Sequence, residues 1–265
     1  MEYIGYLASL LIGVSLGLTG SGGSILTVPI LVYGLGLSPV LATSYSLFVV
    51  GTTSMVGGAR FFRQGLVHFP SVLTFGLPSL VTVYLTRRWL MPAIPAQLWT
   101  LEGFSLSREM GLMMLFAALM VLASYSMIKG DCCRHWKINT RAPVFYPVLA
   151  ALAIGLGGVS GLVGAGGGFL IIPVLEIGLR LDMKMAVGTS LVIIAINSLV
   201  GFAGDILQYA IDWTFLLTFS GFSVAGIFIG TALAPKTESR KLKQAFGWFV
   251  LAMGLYIVGK EILRL

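Results

Sequence analysis

The sequence predicts an all-α, polytopic transmembrane protein made of two repeats, each a glycine-broken helix pair followed by three spans. Three observations carry that prediction. First, 265 residues at 57% hydrophobic, 10% charged and a mean hydropathy of +0.96 leave no polar surface for a soluble domain. Second, the apolar runs are long enough to cross a hydrocarbon core of about 30 Å, which takes about 20 helical residues. Third, Gly17-Leu-Thr-Gly-Ser-Gly-Gly-Ser-Ile-Leu-Thr-Val-Pro29 returns 144 positions later as Gly161-Leu-Val-Gly-Ala-Gly-Gly-Gly-Phe-Leu-Ile-Ile-Pro173. About 20 of the 52 positions from Gly13 to Gln64 are identical to their partners between Gly157 and Gln208, a self-similarity that fixes the plan before any fold is chosen.

Residues 3–36 form the first apolar element. As one straight helix it would be roughly 50 Å long at 1.5 Å per residue, so its arms are expected to part at Gly20–Ser24. Residues 40–58, 69–88 and 110–128 follow as three spans, with extra material around Pro92–Glu102 that the second half lacks. The second half repeats the plan: a broken element over 144–179, then spans over 184–203, 213–234 and 244–262. The organisation is thus a first membrane repeat at 1–128, a cytoplasmic linker at 129–142 and a second membrane repeat at 143–265. The N-terminus opens on Met1-Glu2 with no basic region, so no cleavable signal peptide is expected.

Loop charges argue that the repeats are inverted. Arg60 and Arg63 follow the second element of half one, where half two has Asp205 and Asp212. If each broken element enters and leaves on one side, 12 of the 17 Lys and Arg fall inside; eight simple spans in a parallel repeat put only 8 there. Both termini then face outward, with Arg87-Arg88 as the main objection. The net charge of +7 is spent on orienting helices rather than on nucleic acid, for which nothing here is a signature.

Inverted repeats with broken helices near mid-membrane are a recurring plan of secondary transporters. A helix that stops inside the bilayer leaves amides and carbonyls that lipid cannot satisfy, so protein, water or a solute must. The turns Gly20-Ser21-Gly22-Gly23-Ser24 and Gly164-Ala165-Gly166-Gly167-Gly168 each lead into a half-helix whose N-terminal amides suit an anion. Thr43, Ser46, Thr189, Ser190 and Asn197 are further candidate donors, with Ser54 and Ser198 as weaker ones. Glycines four apart, as at Gly13/Gly17 and Gly226/Gly230, are ordinary small-residue packing, but three glycines within four residues followed by a proline, twice, are not.

No deep ionisable residue is expected: Asp205, Asp212, Arg60 and Arg63 lie at predicted helix ends, and only Glu176 approaches mid-membrane. A site without fixed charge suits an anion held by dipoles and fits a metal cation poorly. Cys132-Cys133 with His135 lack the C-x2-C spacing of a metal site, so no metal and no cofactor are expected. Nor is there a G-x-S-x-G, H-E-x-x-H or P-loop sequence, and no His or Asp is placed to activate Ser21. An enzyme is therefore not the reading.

The doubled G-L-x-G-x-G-G-x-x-L-x-x-P, each followed by an Ala42–Leu47 or Ala186–Leu191 stretch, resembles the sulfite exporter TauE/SafE family of membrane permeases over nearly the whole chain. The resemblance implies a permease for sulfur-containing anions such as sulfite or organosulfonates in a bacterial cytoplasmic membrane. Homodimerisation enters by analogy alone. The two motif copies differ, with Ser21 and Ser24 opposite Ala165 and Gly168, which leaves the named substrate open. An anion channel, or a membrane-embedded enzyme or assembly factor, stays as the alternative.

Overall fold

The computed structural model describes residues 2–20, 22–95, 97–101, 104–129, 145–164, 166–179, 181–233 and 239–263. The first broken element is α1 (Glu2–Thr19) and α2 (Gly23–Pro29), the latter running on as a wide π-turn over Ile30–Gly34. Pro29 cannot donate to the ladder, and the wider turn follows directly. Three spans follow: α3 (Pro39–Arg63), α4 (Phe69–Ala93) and α5 (Arg108–Lys129). Two π-turns, Val72–Gly76 and Thr86–Leu90, interrupt α4.

The second half gives α6 (Phe145–Val163), α7 (Gly168–Pro173) with its own π-turn over Val174–Gly178, then α8 (Met183–Asp205), α9 (Trp213–Leu233) and α10 (Ser239–Ile262). Six of these helices are long and apolar enough to cross a membrane, three in each half. The expected all-α, multi-span class is therefore what the structure has. Among the described residues the strands are an antiparallel hairpin, β1 (Gln97–Leu101) and β2 (Phe104–Ser107), within the extra material of the first half. The linker, with Cys132, Cys133 and His135, lies outside the described residues.

Both broken elements double back on themselves. A Cβ built on Gly23 would lie 2.6 Å from Leu16 N, and one built on Gly5 would lie 2.9 Å from Leu35 Cδ2, so α2 returns along α1. At the second turn a Cβ on Gly167 would lie 2.9 Å from the Ser160 Cβ, the same contact 144 positions on. Only glycine permits these approaches, and Gly20, Gly164, Gly166 and Gly167 also take positive φ at the tips. Each element is a helical hairpin.

The hairpins are exchanged between the halves. α1 packs on α9 of the second half, and α6 packs on α4 of the first. Both seams are built from small residues that bring backbones together: a Cβ on Gly13 would sit 3.0 Å from Gly226 Cα, and one on Gly157 would sit 2.6 Å from Ser79 O. At the centre α3 packs against α8, and there the contacts run in opposite senses. Ser44 meets Asp205, Gly51 meets Leu199, Gly58 meets Val192, and Phe61 meets Gly188. α5 and α10 do the same, with Met120 beside Gly254 and Met127 beside Gly247. Both matched pairs are antiparallel.

Burial follows this order. The apolar windows of α3 and α8 are 72% and 67% buried, against 28% for α10, so the central pair is the core and α10 belongs to the rim. Leu7, Leu11, Val81, Leu122, Phe228, Phe249 and Leu255 point outward and exposed, a surface suited to acyl chains rather than water. Trp89, Trp213 and Trp248 are exposed too, Trp213 at the start of α9.

Candidate functional site

The two hairpin tips press on the antiparallel α3–α8 pair from opposite ends. Gly20 lies against Val187 near the start of α8; Gly164, its repeat partner, lies against Thr43 near the start of α3. Past the second tip the chain reaches the middle of the pair: a Cβ on Gly166 would fall 2.6 Å from Ser198 Oγ, 3.0 Å from Ile194 Cγ2 and 3.2 Å from Val50 Cγ1. Half-helices α2 and α7 also touch one another. The two glycine turns thus meet the central pair at its two ends, and the second reaches on to its middle.

Its polar lining differs from the expected one. Ser21 and Ala165 lie outside the described residues. In the first turn the Gly22 N–H donates to Thr19 Oγ1 at 2.9 Å, Gly23 packs on α1, and Ser24 is buried. In the second, the Gly164 N–H donates to Ser160 O at 2.9 Å, Gly167 packs on Ser160, and Gly168 opens α7. Thr189 Oγ1 accepts from the His68 N–H at 2.9 Å, and Ser190 Oγ donates to Val187 O at 2.8 Å; both are occupied in holding the fold. Ser46 Oγ is buried and has no partner among the described residues. Asn197 donates to Ser79 Oγ at 2.8 Å and leaves its Oδ1 unpartnered.

Ser54 and Ser198 carry more weight than the sequence gave reason to expect. They are repeat partners, on α3 and α8, fully buried, and neither hydroxyl has a partner among the described residues. A membrane serine normally bonds the carbonyl one turn back; a buried hydroxyl left unmatched costs about 1–3 kcal/mol. Two such hydroxyls at equivalent places, one beside a hairpin tip, mark polar capacity held in reserve.

The expectation of no deep ionisable residue is corrected by the structure. Arg87 and Asp205 are both fully buried and form an ion pair at 2.9 Å between Nη1 and Oδ2. Ser44 Oγ donates to the same carboxylate oxygen, and Arg87 Nη1 also donates to Thr43 Oγ1 at 3.1 Å. Thr43 therefore belongs to this cluster rather than to a neutral lining. The π-turn over Thr86–Leu90 carries Arg87, so this guanidinium turns inward, off the loop in which the sequence placed it. One of the five cations assigned outside is accordingly not in a loop, and the main objection to the charge argument weakens. Tyr209, in the loop after α8, has its phenol pushed up by burial and, secondarily, by the Asp205 carboxylate. Among the described residues no cluster of three His, Cys, Asp or Glu is placed to hold a metal.

Known proteins match this chain along nearly its whole length. The sequence profile of the sulfite exporter TauE/SafE family matches residues 5–257. A probable membrane transporter protein of Xylella fastidiosa (strain 9a5c) is 29% identical over 255 residues, covering 95% of this chain and 92% of that one. The probable membrane transporter protein YunE of Bacillus subtilis is 23% identical over 264 residues, covering 92% and 93%. No solved structure matches. With six helices fit to span a membrane, two helical hairpins and a match over almost every residue, this multi-pass membrane protein belongs to the sulfite exporter TauE/SafE family of membrane transporters.

Proposed function

We propose that this protein is a secondary transporter of small sulfur-containing anions, sulfite or an organosulfonate first, working in the cell inner membrane with both termini outside the cytoplasm. The observation that carries the reading is the pair of partnerless hydroxyls, Ser54 and Ser198, in the antiparallel α3–α8 pair on which both hairpins bear. A small oxyanion has several acceptor oxygens, and the place offers hydroxyl donors and glycine backbone without a Cβ. The antiparallel packing of matched helices supports an inverted repeat, the architecture in which one half rocks against the other around a fixed site. Burial of Gly20, Gly166, Ser54 and Ser198 supports a carrier over an open channel.

The test is flux into proteoliposomes of sulfite, methanesulfonate and taurine, with counterflow. Saturable uptake accelerated by the same anion on the far side is expected. Ser54→Ala and Ser198→Ala should weaken apparent affinity several-fold, yet leave the melting temperature unchanged or raised, because each deletes an unmatched buried group. Wild-type flux in both variants would remove the site, and flux without saturation or counterflow would make the protein a channel.

A further inference from the structure

Arg87 uses only part of its guanidinium. Nη1 is held by Asp205 Oδ2 at 2.9 Å and Thr43 Oγ1 at 3.1 Å, while Nε and Nη2 are buried and have no partner among the described residues. These two nitrogens form the edge of the guanidinium that presents parallel N–H groups, the geometry that accepts an oxyanion in two hydrogen bonds. The edge is turned toward the second hairpin tip: a Cβ on Gly164 would come within 2.7 Å of Nη2. A Cβ there would also fall 2.4 Å from Thr43 Cβ and 2.6 Å from Thr43 O, so in the present arrangement the backbone of the tip closes directly over Nη2, which only a glycine at φ +71° permits.

At the other end of the central pair an exposed guanidinium, Arg60, donates from Nη1 to Thr231 Oγ1 at 2.7 Å, but among the described residues no buried ion pair stands there. The repeat partners of Arg87, Asp205, Ser44 and Thr43 are Thr231, Phe61, Gly188 and Val187. A buried ion pair is weak evidence of stabilisation, because desolvating both charges offsets much of their attraction. Leaving two of the guanidinium's donors unmatched makes the cluster costlier still as a purely structural device.

We propose that the Nε–Nη2 edge of Arg87 is an anion-binding subsite at one end of the transport path, with Asp205 as the positioning residue that fixes the guanidinium and limits how tightly the anion is held. The inference deepens the transport reading and rests on it. The ligand is a small oxyanion with two oxygens in one plane, as in a sulfonate or sulfite. Thr43 and Asp205 hold Nη1, so the anion needs the Gly164 tip to withdraw from Nη2 but does not need the ion pair to break. The negative charge of Asp205 keeps binding reversible, as a transported solute requires.

The experiment measures binding of methanesulfonate, which stays a monoanion across neutral pH, to the purified protein by calorimetry, with flux in proteoliposomes alongside. Asp205→Asn keeps an acceptor for Nη1 and removes the charge, so affinity should rise about 5-fold or more. The double variant Arg87→Gln/Asp205→Asn has no buried charge and keeps a hydrogen-bonded pair, so it should fold; its affinity should fall at least 10-fold. A structural ion pair predicts the reverse for the double variant, namely wild-type affinity in a folded protein, and that result overturns the proposal. So does a folded Asp205→Asn that binds no tighter than wild type. If Ser54→Ala and Ser198→Ala weaken binding while the double variant does not, the subsite falls and the transport reading stands. If the wild-type protein binds and moves none of the anions, both fall.

Discussion

Thr53 and Asn197 stand 144 positions apart, at the same place in the two repeats, and each bonds a serine of the opposite half. Thr53 Oγ1 donates to Ser223 Oγ at 3.0 Å, and Asn197 Nδ2 donates to Ser79 Oγ at 2.8 Å. The two serines are themselves repeat partners, on α9 and α4. One hydrogen bond has been kept twice through changes of residue type, tying each central helix to the span on which the hairpin of its own half packs.

These two bonds lie on separate seams, so their removal should add. Interhelical hydrogen bonds inside membrane proteins average about 0.6 kcal/mol. Thr53→Ala and Asn197→Ala are each expected to lower stability by roughly that amount, and the double variant by about 1.2 kcal/mol in total. Denaturation in detergent checks it. A double variant no less stable than either single would show that the two seams fold as one.

The two copies of the motif differ at their shared third glycine. Gly22 is right-handed, with φ −62° and ψ −37°, whereas Gly166 has φ +66°. Alanine at Gly22 is therefore allowed by the backbone and meets only the Phe246 ring at 2.8 Å and Thr19 Oγ1 at 2.6 Å. Alanine at Gly166 is strained whatever surrounds it, by about 1–2 kcal/mol. Transport lost in Gly22→Ala should return once both contacts are removed, in Gly22→Ala/Thr19→Ala/Phe246→Ala. Transport lost in Gly166→Ala should not return in Gly166→Ala/Ser198→Ala.

Antiparallel packing of α5 and α10 can be read by cross-linking. A Cβ on Gly247 would lie 3.0 Å from the Met127 Cβ, close to the mean separation of about 3.8 Å in disulfides. Gly247→Cys with Met127→Cys should oxidise readily in membranes. Gly247→Cys with Met113→Cys should not, since Met113 lies 14 residues back along α5, roughly 20 Å at the helical rise. Equal yields from the two pairs would remove the antiparallel seam.

Much of this architecture was legible in the residues. The doubled glycine motif located both tips, and the apolar runs located all six spans within a few residues of their observed ends. The exchange of hairpins was not legible, because G-x-x-x-G spacing in α1 and α9 says that a helix packs closely but not on which partner. Arg87 was missed for a local reason: it precedes Arg88 at the end of an apolar run, where two cations ordinarily face water. Only the π-turn over Thr86–Leu90 and a carboxylate 118 positions away turn one of them inward. A signal did exist. Arg87 and Asp205 each replace a neutral residue of the other repeat, Thr231 and Phe61, and their signs are opposite.

The exchanged hairpins have a further consequence. Because α1 leans on α9 as α6 leans on α4, and the central pair maps onto itself, loosening one hairpin breaks nearly the same contacts as loosening the other. The two departures from the present arrangement would be close to isoenergetic in a chain of identical halves. What tilts the balance is where the halves disagree, and the buried ion pair puts Arg87, Asp205 and Ser44 against Thr231, Phe61 and Gly188 foremost among those many places. A difference of 1.4 kcal/mol in that set is a tenfold change in the ratio of the two populations, so the resting preference of the molecule is adjustable by very few side chains, without rebuilding any helix.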